Sequence, residues 1–151
     1  MREIKFRGKR IDNGEWVFGS FIPDALEGSN SDLISWGFIR RYNRGVGKME
    51  TIEVDRETVG QYTGLKDKGG VEIYEGDICK YWMDRVWKIG YIVWHQGGFA
   101  LRVFKMGERD TDEMFPFQHF IPVPRTGNVM QDQFEIIGTT HDNPELLGGT
   151  E

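Results

Sequence analysis

The sequence predicts a mostly β fold: an antiparallel meander with an SH3-like barrel and a short C-terminal helical turn. Three observations lead there. Apolar and polar residues alternate with period two in several short runs, the signature of strands with one wet face. Glycine accounts for 20 of 151 residues, well above the usual ~7%, and has no collagen-like period. The glycines sit between apolar, β-branched and aromatic runs, where turns that need φ > 0 belong.

Along the chain, Ile4 and Phe6 alternate with Arg2, Lys5 and Arg7, which predicts a first strand. Asn13-Gly14 follows, the strongest short hairpin signal, and predicts a type I′ turn. Residues 16–21 read as the return strand. Residues 23–32 form a polar loop, and the apolar run 33–39 is a further strand candidate. Residues 40–48 are a basic, glycine-containing connection. Thr51 to Val54 alternates, 58–65 reads as a second short extended stretch, and Lys66-Asp67-Lys68-Gly69-Gly70 marks a turn.

The best-defined β region spans residues 71–104. Strands are expected at 71–74, 78–82, 87–94 and 99–104, separated by Glu75-Gly76-Asp77, Met83-Asp84-Arg85 and His95-Gln96-Gly97-Gly98. Such a sheet must curl or pack on a second layer to cover its apolar face, and a small barrel fits these strand lengths. Residues 108–113 are charged and expected as an exposed loop or one short helix, with Pro116, Pro122 and Pro124 limiting regular structure nearby. Residues 133–138 read as a last strand. Asn143-Pro144-Glu145 then begins a helical turn that Gly148-Gly149 stops. The length favours a single domain over 1–151, and breaks near Ser29 or Lys105 are not favoured.

Composition narrows the function classes. The profile, 38% hydrophobic and 28% charged, is globular. Cys79 is the only cysteine, so no intramolecular disulfide forms, and its apolar strand predicts an inert buried thiol. No run has the length and apolarity of a signal peptide or membrane span, so a cytoplasmic protein without membrane partners is expected. The net charge of −5 argues against nucleic-acid binding by the whole surface, though it leaves room for a local patch.

No catalytic residue, metal site or cofactor is predicted. Gly45-Val46-Gly47-Lys48 has part of a phosphate-binding loop, but Tyr42 stands where its first glycine belongs and Met49 where the magnesium-binding hydroxyl belongs. A hairpin turn explains it better. Glu75 and Asp77 could share acid and base work, but a tight turn with Asp77 bonded to backbone amides explains them better. His95, His119 and His141 lack metal-ligand spacing. Asp110, Asp112 and Glu113 lack that of a calcium loop. Trp16, Trp82, Trp87 and Trp94 occupy strand positions, where core packing is the default.

Two basic groups are candidates for phosphate contact: Arg2, Lys5, Arg7, Lys9 and Arg10, and the loop residues Arg40, Arg41, Arg44 and Lys48. Trp36 and Tyr42 lie beside the second group. Cations interleaved with aromatics can track a phosphate backbone and stack bases. Arg40, Arg41, Tyr42, Arg44 and Lys48 are therefore the candidate nucleic-acid site.

The run from Val59 to Ile78, containing Gly64, Gly69, Gly70, Tyr74, Glu75, Gly76 and Asp77, resembles the signature of the YopX-like family. Met1-Arg2-Glu3-Ile4-Lys5-Phe6-Arg7-Gly8 resembles that family's first strand, and residues 134–138 with 143–147 its close. Thr139-Thr140-His141-Asp142 departs from the pattern. The resemblance implies a mostly β structure with an SH3-like barrel, an origin in phages and prophages of Gram-positive bacteria, and expression in the host cytoplasm. It implies no activity. The matched glycines and acids have structural roles in turns.

These readings point to a non-enzymatic protein-interaction module whose partner is a host or phage protein or a second copy of the chain. The alternatives are nucleic-acid binding through residues 40–48 and an enzyme built on Glu75 and Asp77.

Overall fold

The structure is a computed structural model and describes residues 4–23, 36–83, 85–116 and 134–147. The loop 24–32, the start of the run 33–39, Asp84, His119, Pro122, Pro124 and Gly148-Gly149 lie outside the described residues. Among the described residues the fold is antiparallel β, with one 3-10 turn at Pro144–Leu147 where Asn143-Pro144 predicts a helix start. It divides into two compact units, residues 1–62 and 63–151.

The first unit holds β1 (Phe6–Arg10), β2 (Trp16–Pro23), β3 (Trp36–Asn43) and most of β4 (Lys48–Lys66). The strands pair in the order β1-β2-β3-β4, and β1 also pairs with β4, which closes a barrel-like ring. Val17, Ile39, Ile52 and Val54 fill it, with Phe6, Phe21 and Val59 packed around them. Gly19 is needed here, because a Cβ would stand 2.3 Å from the carbonyl oxygen of Arg40.

β4 is one continuous strand of 19 residues, not the two short stretches expected from the charged break at Asp55-Arg56-Glu57. The break is a bulge. Lys9 pairs with Asp55 and Arg7 with Gly60, so four residues of β4 face a single residue of β1. Thr58 bridges the bulge. Its hydroxyl donates to the Asp55 carbonyl at 2.6 Å and accepts the Lys9 amide at 2.8 Å. Charge on an outward bulge therefore marks a bend and leaves the strand unbroken.

β1 also departs from its alternation. Ile4 is 71% exposed, whereas Arg7 is buried with its guanidinium 4.4 Å from the centre of the Trp16 ring. A planar cation stacked on tryptophan can be covered as an aliphatic side chain is, which the apolar pattern does not register.

The β1–β2 turn is not type I′. Asn13 keeps φ < 0, and only Gly14 is left-handed, at φ 73°. Four residues span the turn, and the Gly14 amide donates to the Arg10 carbonyl at 2.9 Å. The β3–β4 turn repeats this geometry: Gly47 has φ 69° and donates to the Asn43 carbonyl at 2.8 Å. The fold does contain a type I′ turn, between β7 and β8. There Gln96 (φ 51°) and Gly97 (φ 81°) are both left-handed between the paired residues His95 and Gly98.

The second unit contains the end of β4, β5 (Glu72–Tyr74), β6 (Asp77–Met83), β7 (Val86–His95), β8 (Gly98–Met106), β9 (Arg109–Pro116) and β10 (Glu135–Thr139). The expected meander is β6-β7-β8, and β9 and β10 extend it to a five-stranded sheet in the order β10-β6-β7-β8-β9. Its core face carries Cys79, Tyr81, Ile92, Leu101 and Val103, closed by Ile73 and Phe134. The Tyr81 and Phe134 rings stack at 4.6 Å.

β9 occupies the segment read from sequence as a loop or short helix. Two of its three acids meet cations on β8. Asp110 pairs with Lys105, and Asp112 accepts from Nε and Nη2 of Arg102 at 2.9 and 3.1 Å. Opposite charges across neighbouring strands favour pairing, so this charge run is a strand edge.

Candidate functional site

Residues 63–78 build the turn region that carries the family motif. Asp67 is buried, and its Oδ1 accepts the amides of Gly69 and Val71, both at 2.9 Å. Its Oδ2 accepts the Ile136 amide from β10 at 3.1 Å. The Lys68 amide donates to the Phe134 carbonyl at 2.9 Å. Gly64, inside β4, and Gly70, in the turn that follows it, both take φ near +85° (87° and 83°).

The second half of the motif is the tight turn Glu75-Gly76 between β5 and β6. Asp77, 1% exposed, accepts the Tyr74 amide at 2.7 Å. Gly76 (φ 88°) donates its amide to the Ile92 carbonyl and accepts the Thr140 amide at its own carbonyl. Tyr74 is buried, and its hydroxyl donates to Glu72 at 3.0 Å. Acid–base work needs a carboxylate that can reach a substrate, and Asp77 faces the backbone of its own turn.

The basic hairpin separates its residues. Ile39, Arg41 and Asn43 share one side of β3, and Phe38, Arg40 and Tyr42 share the other. The Arg41 Nε donates to Glu50 at 2.7 Å, and the Asn43 amide nitrogen donates to the other oxygen of Glu50 at 3.2 Å. These two bonds hold Glu50 below the usual carboxylate range, Arg41 first. Arg40, Tyr42, Arg44 and Lys48 are exposed. Lys48 pairs with Asn43 and so lies on the Arg41 side, while Arg44 is in the turn itself. The glycines of Gly45-Val46-Gly47-Lys48 turn a hairpin here, not a strand into a helix, so they form no phosphate-binding loop.

The tryptophans of the second sheet are the largest departure from the sequence reading. Trp82, Trp87 and Trp94 are 49%, 43% and 50% exposed, not core residues. Trp82 and Trp87 are cross-strand partners near the β6–β7 turn, on the face away from Cys79 and Tyr81. Their rings meet edge to face at 5.2 Å, and the Lys80 ammonium stands 4.4 Å over Trp87. Trp94 packs edge-on against Phe99 at 4.9 Å. Parity identifies the outward face: Trp82 is one residue from buried Tyr81, and Trp87 one from buried Lys88.

Cys79 is fully buried. His95 and His141 are exposed. Among the described residues no three His, Cys, Asp or Glu side chains gather as a metal site, and no helix is long and apolar enough to cross a membrane.

The class defined by this geometry is an all-β scaffold with braced turns and side chains displayed on sheet faces and hairpins. Residues 5–148 match the family model described as YopX protein, and the chain belongs to the YopX family. The crystal structure of protein EF1440 from Enterococcus faecalis is similar at TM-score 0.50 and 23% identity, over 97% of this chain and 99% of that one. That likeness concerns the fold alone. No curated protein matches the chain.

Proposed function

We propose that the chain is a phage- or prophage-encoded, non-catalytic protein-interaction module acting in the host cytoplasm, and that it engages a host or phage protein through Trp82 and Trp87. The exposed tryptophan pair carries this reading. Two large aromatic side chains held against each other and half open to solvent leave apolar area unburied, and tryptophan is the residue most enriched where binding energy concentrates. The pair sits on paired strands, so little ordering entropy is lost when a partner covers it. Lys80 keeps the Trp87 ring oriented. The family resemblance supports the phage origin, and the buried, backbone-facing Asp77 supports a role without catalysis.

The test is affinity capture of tagged chain from phage-infected host lysate, with and without nuclease, alongside a Trp82→Ala/Trp87→Ala variant. The expected result is one host or phage protein enriched by the wild type, retained after nuclease and lost with the variant. Enrichment that vanishes with nuclease, or that the variant keeps, overturns the reading.

A further inference from the structure

The second exposed surface lies in the first unit and is of different chemistry. We propose that the outward face of β2, β3 and β4, together with the β3–β4 turn, binds single-stranded nucleic acid. Residues 36–48 contain Arg40, Arg41, Arg44 and Lys48 and no acidic residue, within a chain of net charge −5. Glu50 neutralises Arg41 on the opposite side of the hairpin. Arg40, Arg44 and Lys48 remain exposed, and no ion pair holds them among the described residues.

The register places Arg40 in the middle of an aromatic and apolar surface. Its cross-strand neighbours are Ser20 on β2 and Thr51 on β4, both short. Tyr42 and Met49 pair beyond it and are 58% and 51% exposed. Ile22 and Phe38 pair on its other side, and Ile22 is exposed too. Glu53, opposite Phe38, and Asp55, opposite Trp36, are the two acids this register places on the face, both at the end away from the turn.

An open tyrosine beside unpaired guanidinium groups matches the two demands of a single strand: a flat surface for an unstacked base and cations for the flanking phosphates. A duplex hides its base faces and would gain only the cation contacts. This site is separate from the tryptophan pair and does not rest on the partner proposed for it.

The experiment is fluorescence anisotropy of the full chain with labelled twelve-nucleotide oligo-dT and oligo-U, and with a duplex of equal length, at 50 and 200 mM salt. Two phosphate contacts, from Arg40 and Arg44, predict binding about sevenfold weaker at the higher salt, from a slope of roughly −0.7 per contact. Tyr42→Ala should weaken binding roughly tenfold. Arg44→Glu, in an exposed turn where packing is not at stake, should weaken it at least as much. Trp87→Ala should leave it unchanged. Circular dichroism and urea unfolding verify that each variant folds. Absence of binding at 50 mM salt, equal affinity for duplex, or indifference to both Tyr42→Ala and Arg44→Glu in folded variants overturns the proposal.

Discussion

The carboxylate of Asp67 accepts the backbone amide of Ile136 at 3.1 Å, across 69 positions of sequence. The same side chain accepts the amides of Gly69 and Val71 within its own turn. One buried acid thus ties the family-motif turn to β10. Asp67→Ala strands three amide donors. It should cost about 3 kcal/mol, the loss of charge-assisted bonds with their donors left in place. Asp67→Asn keeps an acceptor oxygen and should cost about half as much. Urea unfolding measures both, and equal stability of wild type and Asp67→Ala would refute the bracing role.

Asp77 and Glu75 should separate under mutation. Asp77 is buried against the Tyr74 amide, so Asp77→Ala should destabilise by about 2 kcal/mol. Glu75 is partly exposed on the turn, and Glu75→Gln should stay within about 0.5 kcal/mol of wild type. Thermal unfolding distinguishes the two, and equal sensitivity would contradict the geometry.

The β7–β8 turn is open to improvement. Gln96 holds φ 51°, a region that costs a long side chain more than asparagine. Gln96→Asn should stabilise by about 0.5 kcal/mol. Gly97→Ala, at φ 81°, should lose about 1 kcal/mol. Denaturant midpoints at constant m-value test both.

The Arg41–Glu50 pair predicts a pH response. Glu50 is held below its ordinary value first by Arg41 and then by Asn43. A carboxylate depressed in the folded state contributes stability that is present above its unfolded pKa and is lost as pH falls through the folded one. The contribution should therefore fade on the acid side of the ordinary carboxylate range. Arg41→Gln should raise the Glu50 midpoint toward that range in a carboxyl NMR titration. An unmoved midpoint would show that the ion pair does not form in solution.

Much of the fold was legible because local chemistry and tertiary context agree. The β6-β7-β8 meander, the turn at Glu75-Gly76 and the start at Asn143-Pro144 all lie where period and turn residues place them. The misses share a cause. The charged stretch 108–113 read as a loop or short helix, and 55–57 as the gap between two extended stretches; each is tolerated by something distant in sequence: the cations of β8 in the first case, and the bulge opposite β1 in the second. Trp82 and Trp87 read as core because size and strand context say so, whereas parity against buried Tyr81 and Lys88 determines their face; Trp94 shares the parity of buried Ile92 and is exposed next to the β7–β8 turn. For the candidate surfaces, the basic loop was visible as composition. Its division between two faces, with Arg41 given over to Glu50, depends on the β3–β4 register. Asp67 was visible only as a turn residue, since Ile136 is remote in sequence.

Cys79 is the chain's only thiol and has no accessible surface in the core of the second unit. A thiol reagent therefore labels the folded protein only when that sheet opens. Under gentle conditions, labelling speed relative to a free thiol measures how often the core of residues 63–147 is breached. The protein carries its own opening clock, against which partner, oligonucleotide and every substitution above can be timed without an added probe.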